Sequence, residues 1–385
     1  MAKLQLFYAT NRNHLGDDRW HPTGYGRNFS ADGMENLRFG RLTLTASDAK
    51  LKAAMSAESA GAAVNGSRLG DYLEPLVEGA AIEAYEEKID PRVSQESQKN
   101  IVLGSAAFFA DLQDLMMGGT DTLIYIHGFN VSWKGAVSSA LALQASLNRT
   151  DGTDPRQKVN VVLFTWPSDG MALPLVSYKS DRSEAAGSGH AVGRAFLKLR
   201  DFLARLNDRA TGEPVCGQDI HLLCHSMGNY VLQNALKRMD EYTPGNALPR
   251  LFEHIFLCAP DVDDNVLEIG APLGRVHELA RGVTVYHNRG DKAMYVSDYT
   301  KGNPERLGTN GAAHPATLHN KVHQVDCSAF AGEGTDFVQH SYFNSGLPNL
   351  DIRHSIEGLA HEDKRRNRRR KGDLPNVWEL VRKRS

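Results

Sequence analysis

The chain has 385 residues, of which 41% are hydrophobic, and a formal net charge of −2. That is enough to bury a large core in one big domain or two smaller ones. The near balance of 44 basic and 46 acidic residues gives no global attraction to nucleic acid or anionic membrane.

At the N-terminus, Leu4 to Ala9 and Leu37 to Leu44 have the length and composition of strands, joined by a loop rich in Gly, Asn, Asp and His. The first apolar run is broken at once by Thr10, Asn11 and Arg12, too early for a signal-peptide core. No apolar run is long enough to span a membrane, so a soluble, cytoplasmic protein is expected. From Ala46 to about Asn100, Ala, Gly, Ser and Glu dominate and Pro75 and Pro91 interrupt what periodicity there is. An irregular insertion with short helices is expected over about 46–118. Its last part is a helix with Phe108, Phe109, Leu112 and Leu115 on one face, Ser105 as cap, and Gly118 and Gly119 as stop.

From Asp121 the rhythm changes to strands alternating with helices. Apolar runs at Thr122 to Ile126, Asn160 to Thr165, Ile220 to Cys224, His254 to Cys258, Val283 to His287 and Val322 to Asp326 read as strands. Helices are expected from Ser132 to Leu147, Gly193 to Leu206 and Gly228 to Leu236. Short, non-alternating strands separated by helices predict an α/β fold, a mostly parallel central sheet covered on both faces. Cys216, Cys224, Cys258 and Cys327 lie far apart without a C-x-x-C pair, which argues for reduced thiols and against a zinc ribbon or disulfide framework.

In open parallel sheets, ligands bind beyond the carboxyl ends of the strands. The chemically suggestive loops fall at those ends: His127-Gly128-Phe129-Asn130, Trp166-Pro167-Ser168-Asp169-Gly170, His225-Ser226-Met227-Gly228, Pro260-Asp261-Val262-Asp263-Asp264 and Asn288-Arg289-Gly290-Asp291. The third is the most pointed. Cys224-His225-Ser226-Met227-Gly228 is close to G-x-S-x-G, a tight strand-to-helix turn that lifts a serine nucleophile above the sheet. Cys224 stands where that pattern has glycine.

The segments FYATNR, FGRLTL, IYIHGFN, FTWPSDG, HLLCHSMGN, LCAPDVD and VYHNRGDKA together resemble the α/β-hydrolase superfamily, within it a bacterial esterase/lipase-like group long classed as a hydrolase domain of unknown function. The resemblance covers roughly Leu4 to Tyr342 and gives nothing beyond Arg353. It implies a Ser, acid, His triad in that chain order. Ser226 is then the nucleophile, and His340, in the loop after the last expected strand, is the base. His314 and His319 precede that strand, His323 lies in it, and His354 falls in an expected helix. The acid has two sources: Asp291, in the usual place, or Asp261 or Asp263, one strand earlier. Asp291 is expected, because it arrives on the side from which His340 enters. The oxyanion hole would use the backbone N–H groups of Phe129 and Met227. His127, Asn130, Trp166 and Tyr178 are candidates for a substrate pocket, with Trp133 beside them; Ser168 and Asp181 lie near the same rim.

The aspartates 261, 263 and 264 lack the glycine turn and terminal glutamate of a calcium loop and read as a solvated, helix-capping cluster. Lys364 to Lys371, KRRNRRRK, reads as a solvated basic tail over 361–385, following one domain over 1–360. Polyanion binding would reside in that run, but the rest of the chain adds no matching basic or aromatic pattern. The resemblance implies a serine hydrolase of carboxylic esters, of short to medium acyl chains, with no metal or organic cofactor. Its alternatives are a lipase, thioesterase or amidase with the same triad, or a non-catalytic binding protein on the hydrolase fold.

Overall fold

The computed structural model describes residues 1–60, 67–87, 103–149, 153–154, 156–168, 174–205, 217–243, 245, 247–294, 305–329, 339–344 and 346–381. The chain enters as β1 (Ala2–Thr10), forms a separate ribbon of β2 (Arg12–Leu15) and β3 (Gly24–Phe29), and returns along β1 as the antiparallel β4 (Arg38–Ala46). The expected insertion then contributes α1 (Asp48–Ala60), α2 (Ser67–Leu73) and β5 (Ala81–Ala84). It is not wholly irregular: β5 pairs with β4 and forms one edge of the main sheet. Helix α3 (Gly104–Met117) buries Phe108, Leu112 and Met116. Its cap position is Leu103 rather than Ser105, whose hydroxyl sits inside the first turn and accepts a bond from Lys198 at 3.2 Å.

The alternating part follows as β6 (Thr120–Ile126), α4 (Trp133–Leu147), β7 (Lys158–Thr165), α5 (Pro174–Arg205), β8 (Ile220–His225), α6 (Gly228–Tyr242), β9 (Phe252–Cys258), β10 (Ala280–His287), β11 (Val322–Asp326) and α7 (Gly346–Ile356). As expected, Ser132 caps α4, its hydroxyl accepting from Gly135 N–H at 3.0 Å. The main sheet has 11 strands; β1, β7, β6, β8, β9, β10 and β11 run parallel in that order. All six residues of β8 are buried, the signature of a strand covered on both faces. Buried apolar clusters lie on either side: α3, α5 and α6 cover one, α4 and α7 the other. From β6 the chain steps outward to β7, then returns to the opposite side of β6 with β8. Loops diverge at such a reversal and leave a crevice at the strands' carboxyl ends. The HGFN loop and Ser226 are at this place.

Two elements differ from expectation. Helix α5 has 32 residues and begins at Pro174, well before Gly193. Its first half carries few apolar residues and two glycines, a loop-like composition. The glycines have a packing role. A Cβ on Gly189 would lie 2.4 Å from Asn234 Cβ, and one on Gly193 would lie 3.0 Å from the Ala235 carbonyl oxygen, so their absence lets α5 lie against α6.

The basic run is likewise no solvated tail. It forms β12 (Arg368–Arg370), which with β13 (Val377–Leu380) closes the other sheet edge, β13 parallel to β11 and β12 antiparallel to β13. Arg365 faces Asp363, Arg366 and Arg368 face Asp351, Arg369 faces Glu379, Arg370 faces Glu362, and Lys371 faces Asp326. A charge run needs such partners to enter a sheet; some lie nearby, such as Asp363 and Glu362, but Asp351 and Asp326 come from earlier elements that local reading does not connect to the run. Asp351 is fully buried between the Arg366 and Arg368 side chains at 3.0 and 2.7 Å. Burial works against the carboxylate, but the two guanidinium groups hold its pKa down at about 2. Asp351→Ala leaves both cations buried without their counter-charge and is expected to destabilise the fold by about 3–5 kcal/mol, read from urea unfolding. A loss under about 1 kcal/mol would mean that the arginines find water instead. Among the described residues, no helix is long and apolar enough to cross a membrane.

Candidate active site

Ser226 occupies the turn between β8 and α6 with φ of +52°, a left-handed backbone that a non-glycine residue adopts at a cost. Bonds on both sides hold it there. Its N–H donates to the Cys258 carbonyl at 2.9 Å, and its carbonyl accepts from the Asp261 N–H at 3.2 Å and the Asn229 N–H at 3.0 Å. The fully buried Asn229 side chain spans the turn, donating to the carbonyls of Ser226 at 2.9 Å and Cys224 at 3.1 Å. Gly228 is obligatory: a Cβ there would lie 2.6 Å from the Ile126 carbonyl oxygen. Cys224, fully buried, takes the place of the pattern's other glycine within the strand. Cys258 and Cys327 are also buried free thiols, whereas Cys216 lies outside the described residues.

His340 sits in a 3₁₀ turn, Gln339–Asn344, beyond β11. Its Nδ1–H donates to Asp291 Oδ2 at 2.6 Å, while the other Asp291 oxygen accepts from the Ala293 N–H at 3.0 Å. Two contacts bring this turn to the ends of β10, whose following loop carries Asp291, and of β8. Tyr342 O–H donates to the Tyr286 carbonyl at 2.7 Å, and His225 Nε2–H donates to the His340 carbonyl at 3.2 Å. The imidazoles of His225 and His340 lie 4.6 Å apart. Burial and the nearby His340 keep His225 well below its ordinary pKa, so it remains a neutral donor. For His340 burial also disfavours charge, but Asp291, through its charge and hydrogen bond, and then the charge of Asp261 outweigh it and raise the pKa above 6.5.

Asp261, the other candidate acid, is engaged elsewhere. It accepts from Tyr178 O–H at 2.8 Å and lies 3.6 Å from the buried Arg306, which also reaches Asp263 at 2.5 Å. The 261–264 stretch is therefore not a solvated cluster: Asp261 is only 3% exposed, and a buried arginine offsets its charge.

The HGFN loop lies against the serine; a Cβ on Gly128 would be 2.7 Å from Ser226 Cβ. His127 Nδ1–H donates to the Gly128 carbonyl at 2.9 Å, and its Nε2 accepts from the Thr165 hydroxyl at 2.9 Å and the Trp166 N–H at 3.3 Å. Burial foremost, with Arg12 nearby, drops the His127 pKa to about 3, which keeps this neutral tautomer. Neither the Phe129 nor the Met227 N–H donates to a loop or turn carbonyl among the described residues.

Of the pocket candidates, His127 and Trp166 are fully buried and stacked at 5.3 Å, so they brace the loop rather than line an open surface. Trp133 packs into the core between Tyr8 and Tyr25. Tyr178 is buried with its ring edge-on to Phe129 at 5.5 Å, and Asn130, exposed, has a left-handed φ of +57°. Asp169 and Gly170 lie outside the described residues. Sequence reasoning missed Arg12, Asn229 and His225. All three stand in the FYATNR and HSMGN segments, so their signal was present without a role attached.

No curated protein matches the chain. Residues 106–354, which carry Phe129, Ser226, Asp291 and His340, match the family model described as "Alpha/beta hydrolase of unknown function (DUF900)", and the chain belongs to that family.

Proposed function

We propose that the protein is a serine hydrolase that cleaves carboxylic esters through an acyl-enzyme. The observations that carry this reading are a left-handed Ser226 at the sheet's reversal point and a histidine, His340, already bonded to a buried carboxylate and tied through its carbonyl to His225, the residue before the serine. Ser226 Oγ attacks the ester carbonyl carbon while His340 Nε2 takes its proton, and the oxyanion accepts from the Phe129 and Met227 N–H groups. The tetrahedral intermediate collapses by breaking the C–O bond to the alcohol, which leaves with the proton from His340. Water then attacks the acyl carbon with His340 again as base, releasing the carboxylic acid and restoring Ser226. Asp291 fixes the imidazole's tautomer and stabilises the imidazolium. No metal or organic cofactor enters these steps.

Short to medium acyl chains suit this site. The described part of the inserted segment packs against α4 and adds a strand to the sheet edge, so that part does not serve as an apolar lid of the kind that binds lipid surfaces. The test is to treat the protein with a fluorophosphonate and assay aryl esters of graded chain length. Covalent labelling with turnover of the shorter esters is expected; no labelling and no turnover would leave the fold as a binding scaffold.

The pH profile follows from the histidine. His340 must be neutral to accept the serine proton, and its pKa is raised above 6.5. Ester kcat/KM is therefore expected to rise through one inflection above pH 6.5 and then level off. A profile flat from pH 5 to pH 8 would contradict His340 as the base.

A further inference from the structure

We infer that Asp181 on α5, acting with Ser168, is a positioning residue that fixes the Phe129 N–H for the oxyanion; the inference rests on the proposed serine chemistry. The two peptide planes that meet at Phe129 are both pinned. On one side His127 Nδ1–H holds the Gly128 carbonyl at 2.9 Å. That peptide is planar and its N–H belongs to Phe129, so fixing the carbonyl aims the donor from the opposite edge. On the other side the Asp181 carboxylate accepts the Asn130 N–H at 3.1 Å. Ser168 extends the hold by one residue, donating its hydroxyl to the same carboxylate oxygen and accepting the Val131 N–H at 3.1 Å.

Asp181 is fully buried. An ionised carboxylate there is unfavourable unless donors satisfy it, and packing alone would be met better by an apolar residue. Its donors come from the loop that follows β6 and from Ser168 in the loop that follows β7, so α5 sets the distance between them. A carboxylate near an oxyanion would also repel it, and the opposite side of the loop carries the compensation. Arg12, 2% exposed, donates to the Val131 carbonyl at 2.7 Å and the Ser168 carbonyl at 3.4 Å. The loop is thus held between the buried Asp181 carboxyl, which takes the Asn130 N–H, and the buried Arg12, which holds the Val131 carbonyl. Asn130 in a left-handed conformation is the residue that needs such a clamp.

Ser168→Ala, Asp181→Asn and Asp181→Ala are compared with the wild type, each rate expressed per active site titrated with fluorophosphonate. The expected losses in kcat are about tenfold for Ser168→Ala and about a hundredfold for Asp181→Ala, with Asp181→Asn between them, since a small misplacement of a catalytic group has effects of this size. KM for aryl esters should change less than about threefold, whereas affinity for an aryl boronic acid, which forms a tetrahedral adduct, should fall in step with kcat. The inflection of the pH profile should not move, because His340 and Asp291 are untouched. Unchanged kcat per titrated site, or a loss confined to KM, would overturn the role of Asp181. If Asp181→Ala does not fold, Ser168→Ala decides. A wild type that neither labels nor turns over esters refutes the chemistry itself and this inference with it, a result distinct from an active wild type with equally active variants.

Discussion

Replacing Ser226 with alanine is expected to abolish fluorophosphonate labelling and to lower ester turnover by roughly six orders of magnitude, the scale seen when a triad serine is removed. The fall should not be total, because the Phe129 and Met227 N–H groups still polarise a bound carbonyl for attack by water. The thermal melt should barely move. The bonds that hold residue 226 at φ of +52° run through its backbone and through Asn229, and alanine keeps them. Only a hydroxyl is lost, and alanine is no worse suited than serine to a left-handed backbone. Labelling retained by this variant would move the nucleophile elsewhere.

The second large effect separates the two aspartates. Asp291→Asn is expected to reduce turnover by three to four orders of magnitude, since an amide facing Nδ1 favours the wrong tautomer and no longer compensates the imidazolium. Removing that charge also removes the main influence holding the His340 pKa up, so the inflection in the residual activity should shift to lower pH. Asp261→Asn should cost far less. Asp261 acts on His340 only through space, and the asparagine can still accept from Tyr178. Its inflection should move in the same direction by a smaller step. A larger loss for Asp261→Asn than for Asp291→Asn would mean that the acid comes from the β9 loop.

The parallel strands are legible because each is an unbroken apolar run, and a strand covered on both faces cannot alternate. The rim loops are legible for a related reason: polar residues that interrupt such runs at the carboxyl end have a crevice to face. What local pattern cannot carry is partnership across the chain. Nothing near Arg368 announces Asp351, and nothing near Ser168 announces Asp181; each pair becomes meaningful only when the sheet brings it together. Only the part of α5 before Gly193 was hidden, because Gly189 there acts as a contact point for α6, and glycine ordinarily weakens a helix. His127 and Trp166 stand on the rim as the sequence suggests, yet close packing turns their rings inward. The choice between Asp291 and Asp261 is geometric: both reach the rim, and the fold gives the hydrogen bond to one and a tyrosine and an arginine to the other.

The place of β13 beside β11 has a consequence for biosynthesis. Until residues 377–380 have emerged from the ribosome, β11 is an unpaired edge, and until Arg366 and Arg368 follow, Asp351 is a buried anion without its cations. The nascent protein can therefore assemble β6 to β10 with Ser226 and Asp291 in place while one flank of the sheet is still open to other chains. A chain cut short between β11 and β13 keeps the Ser226 turn but leaves its sheet edge unprotected, the kind of species that chaperones hold.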